Sequence, residues 1–173
     1  IWYTGNSNAT LGKLNPATGE VIEYKTEARD PHSAVFHPNG NLYFTAQGAA
    51  MLGRLNPDTG DLTEIPVEPR PYGIKVGSQG TGWVAFNGTN KIGALDPDGM
   101  DMRYYEVPDE RTRIRRLDLD SNDIVWFVNS TLGKIGKLDP ETGQIIQWDS
   151  PSGPKSQLSL IQISEPPRLL SMS

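Results

Sequence analysis

The chain has 173 residues, a formal net charge of −5 and no cysteine. The negative charge argues against nucleic acid as the main partner, and the lack of cysteine excludes disulfides and thiolate metal sites while leaving the redox compartment open. No apolar run reaches the length of a membrane-spanning helix, so we expect no membrane span.

The chain opens on a partial repeat, marked by Trp2 and Leu14, and then runs through three complete copies. In each complete copy a Pro or Ile, an aromatic residue and a Leu follow one another at intervals of 12 residues. These markers are Pro31, Tyr43 and Leu55, then Pro71, Trp83 and Leu95, then Ile114, Trp126 and Leu138. A repeat of about 40 residues is typical of propellers and solenoids.

Each repeat contains four short segments in which apolar and polar residues alternate. In the copy that begins at Arg70 they are residues 73–77, 82–86, 91–95 and 103–107. Four strands of about five residues form the blade of a β-propeller, and no run has the 3.6-residue period of a helical solenoid. The motifs NPATG, NPDTG, DPDG and DPETG follow the Leu markers, where Pro presets φ and Gly supplies a positive φ. We therefore predict an all-β propeller with four-stranded antiparallel blades.

Residues 1–155 are expected to form a partial propeller of about four blades. The first blade, residues 1–29, lacks its innermost strand, and blades 30–69, 70–110 and 111–151 are complete. Residues 156–173 match no phase of the repeat. We interpret this stretch as a non-native tail from translated adapter read-through, with a divergent C-terminal strand as the alternative. Unpaired strand edges at Ile1 and near Trp148 predict that the chain self-associates.

The repeat also predicts where a ligand would bind. Because neighbouring strands run antiparallel, the start of the innermost strand and the end of the second strand lie at one edge of the ring. The candidates at the start of the innermost strand are His32, Tyr72 and Arg115. The candidates at or beyond the end of the second strand are Asn6, Gln47, Asn87, Asn129 and Ser130. These groups can bond amide and ester carbonyls, which favours a peptide-like or small polar ligand.

The alternative is that these amides and hydroxyls only form turns at strand ends. His32 and His37 stand five residues apart on one short strand, so their side chains should point to opposite sides and cannot share a metal ion. Arg111, Arg113, Arg115 and Arg116 form the main basic cluster, close to Asp118 and Asp120. We expect these arginines to form ion pairs with the nearby aspartates; the more specific alternative is that they bind an anion or a carboxylate of a ligand.

Several motifs resemble the streptogramin B lyase (virginiamycin B lyase) family of seven-bladed propellers. IWYTGN, LYFTAQ and VWFVNS are each followed by LGKL, LGRL or IGKL, and the inner-strand motifs are DPHSAV and RPYGIK. The resemblance implies that this chain holds about four of seven blades. It also implies an enzyme that opens cyclic depsipeptides by elimination, using a general base and a divalent metal, usually magnesium, that polarises a carbonyl.

The family's second strand commonly ends in WFTE, whose Glu contributes to the metal and catalytic centre in some blades. The matching residues here are Gly5, Ala46, Phe86 and Asn129, and none of them is a carboxylate. His32 matches the family's PHG motif, with Ser33 in place of the glycine, and is the one weak catalytic candidate. The resemblance thus implies magnesium in the parent protein, whereas for this chain we expect no metal site and no activity of its own.

Three classes of function remain open. The first is a lyase acting on a small molecule or cyclic peptide, with a role in antibiotic resistance. The second is a non-catalytic propeller that binds a peptide or small polar ligand at the channel mouth. The third is a metal-dependent lactonase, for which only Asn87 and Asn129 are in place.

Overall fold

The computed structural model describes residues 1–154, which contain fifteen strands and one short 3-10 helix. The strands are β1 Trp2–Gly5, β2 Thr10–Leu14, β3 Val21–Lys25, β4 Pro31–Phe36, β5 Leu42–Ala46, β6 Met51–Leu55, β7 Leu62–Pro66, β8 Pro71–Val76, β9 Gly82–Phe86, β10 Lys91–Asp96, β11 Asp101–Glu106, β12 Ile114–Leu119, β13 Val125–Asn129, β14 Lys134–Leu138 and β15 Ile145–Asp149; the helix is Gln47–Ala49. The tail predicted at residues 156–173 and the last residue of the predicted domain, Lys155, lie outside the described residues.

The strands form four antiparallel sheets in chain order. Blade 1 is the three-stranded sheet β1-β2-β3, and blades 2, 3 and 4 are the four-stranded sheets β4 to β7, β8 to β11 and β12 to β15. The innermost strands contact one another, β4 against β8 and β8 against β12, and β1 lies against β4. This arrangement is that of a β-propeller and confirms the predicted fold class. Within the described residues, no helix has both the length and the apolar character needed to cross a membrane.

The core lies between successive sheets. One cluster joins blades 1 and 2 around Leu11 and Phe44, a second joins blades 2 and 3 around Tyr43 and Phe86, and a third joins blades 3 and 4 around Phe127. All residues of β5 and β9 are buried, since each of these strands is covered on both faces by a neighbouring blade. β5 and β9 therefore lack the half-buried alternation that we expected of every strand.

The turns after the third strands follow the predicted motif with one exception. Asn15, Asn56, Asp96 and Asp139 each accept a hydrogen bond from the backbone N–H two residues later. The predicted positive φ is found at Gly19, Gly60 and Gly143. In the DPDG turn the residue with a positive φ is Met100, at 57°, and not Gly99. The side chain of Met100 is buried between blades 2 and 3, which offsets the strain of a left-handed methionine.

A glycine in the third strand of each blade leaves room for an aromatic ring. A Cβ added at Gly12, Gly53 or Gly136 would collide with the ring of Tyr3, Phe44 or Phe127, which pairs with it across the sheet. In blade 3 the partner of Gly93 is Val84, and the space is filled by Phe86 and Met102. The glycine of the LGKL motif is therefore a packing requirement of each blade.

Replacing Gly53 by Ala should destabilise the chain by about 1 to 3 kcal/mol, because the new methyl group displaces the buried ring of Phe44. Chemical denaturation monitored by circular dichroism measures this change. Thr63→Ala, at an exposed position on the adjacent strand, is the control and should stay within about 0.5 kcal/mol of the parent. Equal stabilities for the two variants would contradict the proposed packing role.

Candidate functional site

The strand register brings the predicted site residues to one edge of the ring. Pro31 pairs with Ala46, Pro71 with Phe86 and Ile114 with Asn129. Just beyond these pairs, the backbone N–H groups of Gln47, Asn87 and Ser130 donate to the carbonyls of Asp30, Arg70 and Arg113, at 3.0, 2.9 and 3.2 Å. We call this edge, where the innermost strands begin, the mouth edge.

Each innermost strand begins with an irregularity in its pairing. The register shifts between Pro31 and Ser33, between Pro71 and Ile74, and between Ile114 and Arg116. His32, Tyr72 and Arg115 lie at these shifts. A β-bulge leaves a residue unpaired and redirects its side chain, so all three candidates share a local distortion that the repeat spacing did not reveal.

Side chains from three blades meet at these bulges. The rings of His32 and Tyr72 lie 4.0 Å apart between centroids, at an interplanar angle of 42°. The guanidinium carbons of Arg115 and Arg116 are each 5.4 Å from the centroid of the Tyr72 ring. We call these four residues the Tyr72 cluster. Arg116, which the sequence placed only in a basic cluster, is its additional member.

Hydroxyl groups from the preceding blade hold two of the bulges. Thr4 Oγ1 donates to the carbonyl of His32 at 3.3 Å, and Thr45 Oγ1 donates to the carbonyl of Tyr72 at 2.9 Å. The equivalent residue in blade 3 is Ala85, which has no hydroxyl to offer Arg115. The first two bulges are thus tied to their neighbours by hydrogen bonds that cross between blades.

The environment of His32 favours its neutral form. Burial lowers the pKa of this imidazole below 6.5, and the positive charges of Arg116 and Arg115 lower it further. Asp30 and a hydrogen bond with the backbone of Tyr72 act in the opposite direction, without reversing the shift. At neutral pH the cluster therefore presents one uncharged imidazole beside two guanidinium groups.

Asn129, which we predicted to line a ligand site, has a structural role in the described chain. Its side chain is fully buried. The amide nitrogen donates to Thr112 Oγ1 at 2.9 Å and lies 3.5 Å from Gln147 Oε1, while the amide oxygen accepts the N–H of Leu132 at 3.2 Å and that of Arg113 at 3.5 Å. Both ends of the amide are used to anchor loops, and none of it is exposed to a ligand.

The other predicted amides and the serine occupy different surroundings. Asn6 Nδ2 donates to Asp30 Oδ1 at 2.9 Å and so links blades 1 and 2. Gln47 begins the 3-10 helix, and its buried Oε1 has no hydrogen-bond partner within residues 1–154. Asn87 and Ser130 line an open cavity of about 560 Å³ between blades 3 and 4. We call this cavity the arginine pocket; its lining is Arg70, Asn87, Arg113, Arg115, Ser130, Thr131 and Pro154.

Asp118 and Asp120 do not pair with the basic cluster, contrary to our expectation. Asp118 forms an ion pair with Lys75 at 3.2 Å, and Asp120 accepts a hydrogen bond from Trp126 Nε1 at 2.8 Å. Of the four arginines, Arg111 alone forms an ion pair within residues 1–154; its partner is Asp109, and this contact lowers the pKa of that carboxyl group to about 2.

The described residues do not fit a magnesium site. No group of three His, Asp or Glu side chains within residues 1–154 is placed to hold a metal ion. Asp30, the carboxylate beside the Tyr72 cluster, is bonded to Asn6, and the neighbouring Arg115 and Arg116 would repel a cation. His37 lies at the opposite edge, where its Nε2 bonds the carbonyl of Gly80 at 2.8 Å.

Asn129→Ala should lower the free energy of unfolding by about 2 to 3 kcal/mol, since it leaves buried partners without hydrogen bonds. Asn87→Ala, in the wall of the arginine pocket, is the matched control and should cost less than about 0.5 kcal/mol. Urea denaturation of both variants measures the difference, and a larger loss for Asn87→Ala would refute this division of roles.

The imidazole of His32 should titrate below pH 6.5 in an NMR titration of the folded chain. Arg116→Gln should raise this pKa because it removes a nearby positive charge, and Asp30→Asn should lower it because it removes a negative one. A pKa above 6.5, or shifts of the same sign in both variants, would contradict the electrostatic account.

The chain matches the model of the virginiamycin B lyase family over residues 1–158. Virginiamycin B lyase from Staphylococcus aureus is a similar solved structure, with 25% identity and a TM-score of 0.81 over 90% of this chain and 53% of that one. The same figures hold for a catalytically inactive variant of that lyase with quinupristin.

A streptogramin B lyase structure is 26% identical, with a TM-score of 0.78 over 87% of this chain and 51% of that one. The present chain thus spans about half the length of these lyases. No curated protein sequence matches it. Because the family model covers most of the chain, and the structure reproduces the blades of these lyases, the chain belongs to the virginiamycin B lyase family.

Proposed function

We propose that this chain supplies a ligand-binding part of the mouth of a lyase-type propeller, and that the whole protein linearises cyclic depsipeptides by elimination. The main support is the Tyr72 cluster, in which side chains from three blades converge at the mouth edge. Family membership supports the reaction and the class of substrate.

The chemistry of the cluster suits a cyclic depsipeptide. The adjoining rings of His32 and Tyr72 offer an aromatic surface to apolar side chains. Arg115 and Arg116 carry several N–H donors for amide and ester carbonyls, and a neutral imidazole has one donor and one acceptor. Such a combination of an apolar surface with a few polar groups is typical of small-molecule sites.

We assign binding, and not catalysis, to the described residues. His32 is half-buried and neutral, so it could accept a proton, but it contacts Ser33 Oγ at 3.1 Å, and no carboxylate within residues 1–154 bonds the imidazole to orient it. The donor set at the mouth does not fit magnesium, as the repulsion by Arg115 and Arg116 indicates. We therefore assign no catalytic step to these residues and expect this chain to bind the depsipeptide without opening its ring.

A non-catalytic binding propeller is the second candidate. The absence of carboxylates at Gly5, Ala46, Phe86 and Asn129 favours it, because the cluster then serves only to recognise a ligand. The two candidates share the same binding residues and differ in whether the whole protein opens the ring.

The 173-residue chain should bind quinupristin in calorimetry, and Tyr72→Ala should weaken binding by about tenfold or more, which corresponds to about 1.4 kcal/mol. Trp148→Ala, which removes an exposed aromatic side chain on an outer strand, is the control and should bind like the parent. Equal affinities for parent and Tyr72→Ala would remove the cluster from the binding site.

Incubation of the same chain with quinupristin, followed by chromatography, tests for turnover. We expect the ring to stay closed. Elimination yields a linear isomer of unchanged mass, whereas hydrolysis adds the mass of one water, so mass spectrometry identifies either reaction. Ring opening by this chain would contradict the assignment of binding alone.

A further inference from the structure

The arginine pocket places three positive charges around one cavity. Arg70 directly precedes β8, Arg113 precedes β12, and Arg115 lies at the bulge of β12. The guanidinium group of Arg115 also lies over the ring of Tyr72, so the pocket adjoins the Tyr72 cluster. A ligand bound at the cluster would therefore have this cavity beside it.

The pocket arginines have no carboxylate partner within residues 1–154. The four ion pairs of that part of the chain are Lys75 with Asp118, Lys91 with Glu68, Arg111 with Asp109 and Lys134 with Asp149. Each of these acids is engaged with a cation outside the pocket. The charges that line the cavity are therefore not neutralised by side chains of the described structure.

One of the three guanidinium groups is held in place by the backbone. Arg113 Nη1 donates to the carbonyls of Glu110 and Thr112, at 2.8 and 2.6 Å. Because these carbonyl groups are uncharged, they fix the position of the guanidinium group without neutralising its positive charge. Ser130 Oγ donates to the carbonyl of Arg113 at 3.3 Å, which further braces this wall of the cavity. Part of the pocket is thus ordered before any ligand arrives, which reduces the entropy lost on binding.

An anion would relieve the repulsion among these charges. Guanidinium groups bind carboxylates through paired, charge-assisted hydrogen bonds. The side-chain amide of Asn87 adds a neutral donor to the same cavity. A volume of about 560 Å³ exceeds the needs of an inorganic ion and accommodates a carboxylate together with part of the molecule that bears it.

We propose that the arginine pocket binds the carboxylate of a peptide-like ligand and, if the proposed function holds, the carboxylate that ring opening releases. In the elimination of an ester, a base takes the proton from the carbon next to the C–O bond, and a C=C bond forms. The C–O bond breaks, and its electron pair leaves on oxygen as a carboxylate. The cyclic substrate lacks this charge and the linear product carries it, so the pocket is a product subsite.

The probe for this proposal is N-acetyl-phenylalanine, with N-acetyl-phenylalaninamide as its neutral counterpart. In calorimetric titrations of the 173-residue chain, we expect the acid to bind at least about tenfold more tightly than the amide and to lose affinity as salt is added. Equal affinities for acid and amide would overturn the proposal. Inorganic phosphate should bind more weakly than the acid; equal or tighter binding would overturn the assignment to carboxylates.

Arg70→Gln should abolish the preference for the acid while leaving binding of the amide unchanged. Should this variant fail to fold, Arg115→Gln serves as a second variant, and only its acid preference is compared with the parent, because Arg115 also belongs to the Tyr72 cluster. Arg103→Gln is the matched control, because the guanidinium group of Arg103 lies over the ring of Tyr105 in an outer strand, and Arg103 does not line the pocket. An acid preference that survives in a folded pocket variant would refute the site. If quinupristin fails to bind while the acid preference persists, the proposed function falls and the carboxylate site stands.

Discussion

The mouth of this propeller depends on the bulge at the start of each innermost strand. In a regular strand successive side chains point to opposite faces of the sheet, so Arg115 and Arg116 could not both approach one ring. The register shift between Ile114 and Arg116 removes this restriction, and both guanidinium groups lie over Tyr72. The bulges, together with the contact between neighbouring innermost strands, turn three equivalent strand starts into one shared surface.

The repeat predicted the fold because it records which residues are equivalent. Constant spacing from Pro71 to Trp83 and from Trp83 to Leu95 depends on strand length and turn length, and the structure keeps both. The same spacing cannot reveal a bulge, since an extra unpaired residue in every copy leaves the repeat unchanged. Because His32, Tyr72 and Arg115 occupy equivalent positions of the repeat, the sequence indicated that they lie at one edge of the ring. Their contacts with one another depend on the β-bulges, which the spacing of the repeat does not reveal.

Residue type predicted the individual roles less well, because the partners are distant in sequence. Asn129 looks like a ligand-facing amide at a strand end, but Thr112 and Gln147, 17 and 18 residues away, bond its nitrogen. Asp118 is close to the arginines in sequence and yet pairs with Lys75 of the adjacent blade. Contacts between blades decided both outcomes, and a single repeat unit carries no information about its neighbour's side chains.

Hydrogen bonds between neighbouring blades differ at the two edges of the ring. At the edge opposite the mouth, side chains bond the turns of the next blade: His37 reaches Gly80, Tyr43 reaches Pro97, and Ser78 bonds Asp123. At the mouth edge Thr4 and Thr45 bond the backbone of the following bulge, and Thr45 also bonds the backbone of Ser33 in its own blade. Because backbone carbonyls anchor the bulges, the side chains of His32 and Tyr72 are left to determine chemistry. A family built on this scaffold can vary its mouth residues while the same hydrogen bonds between blades maintain the ring.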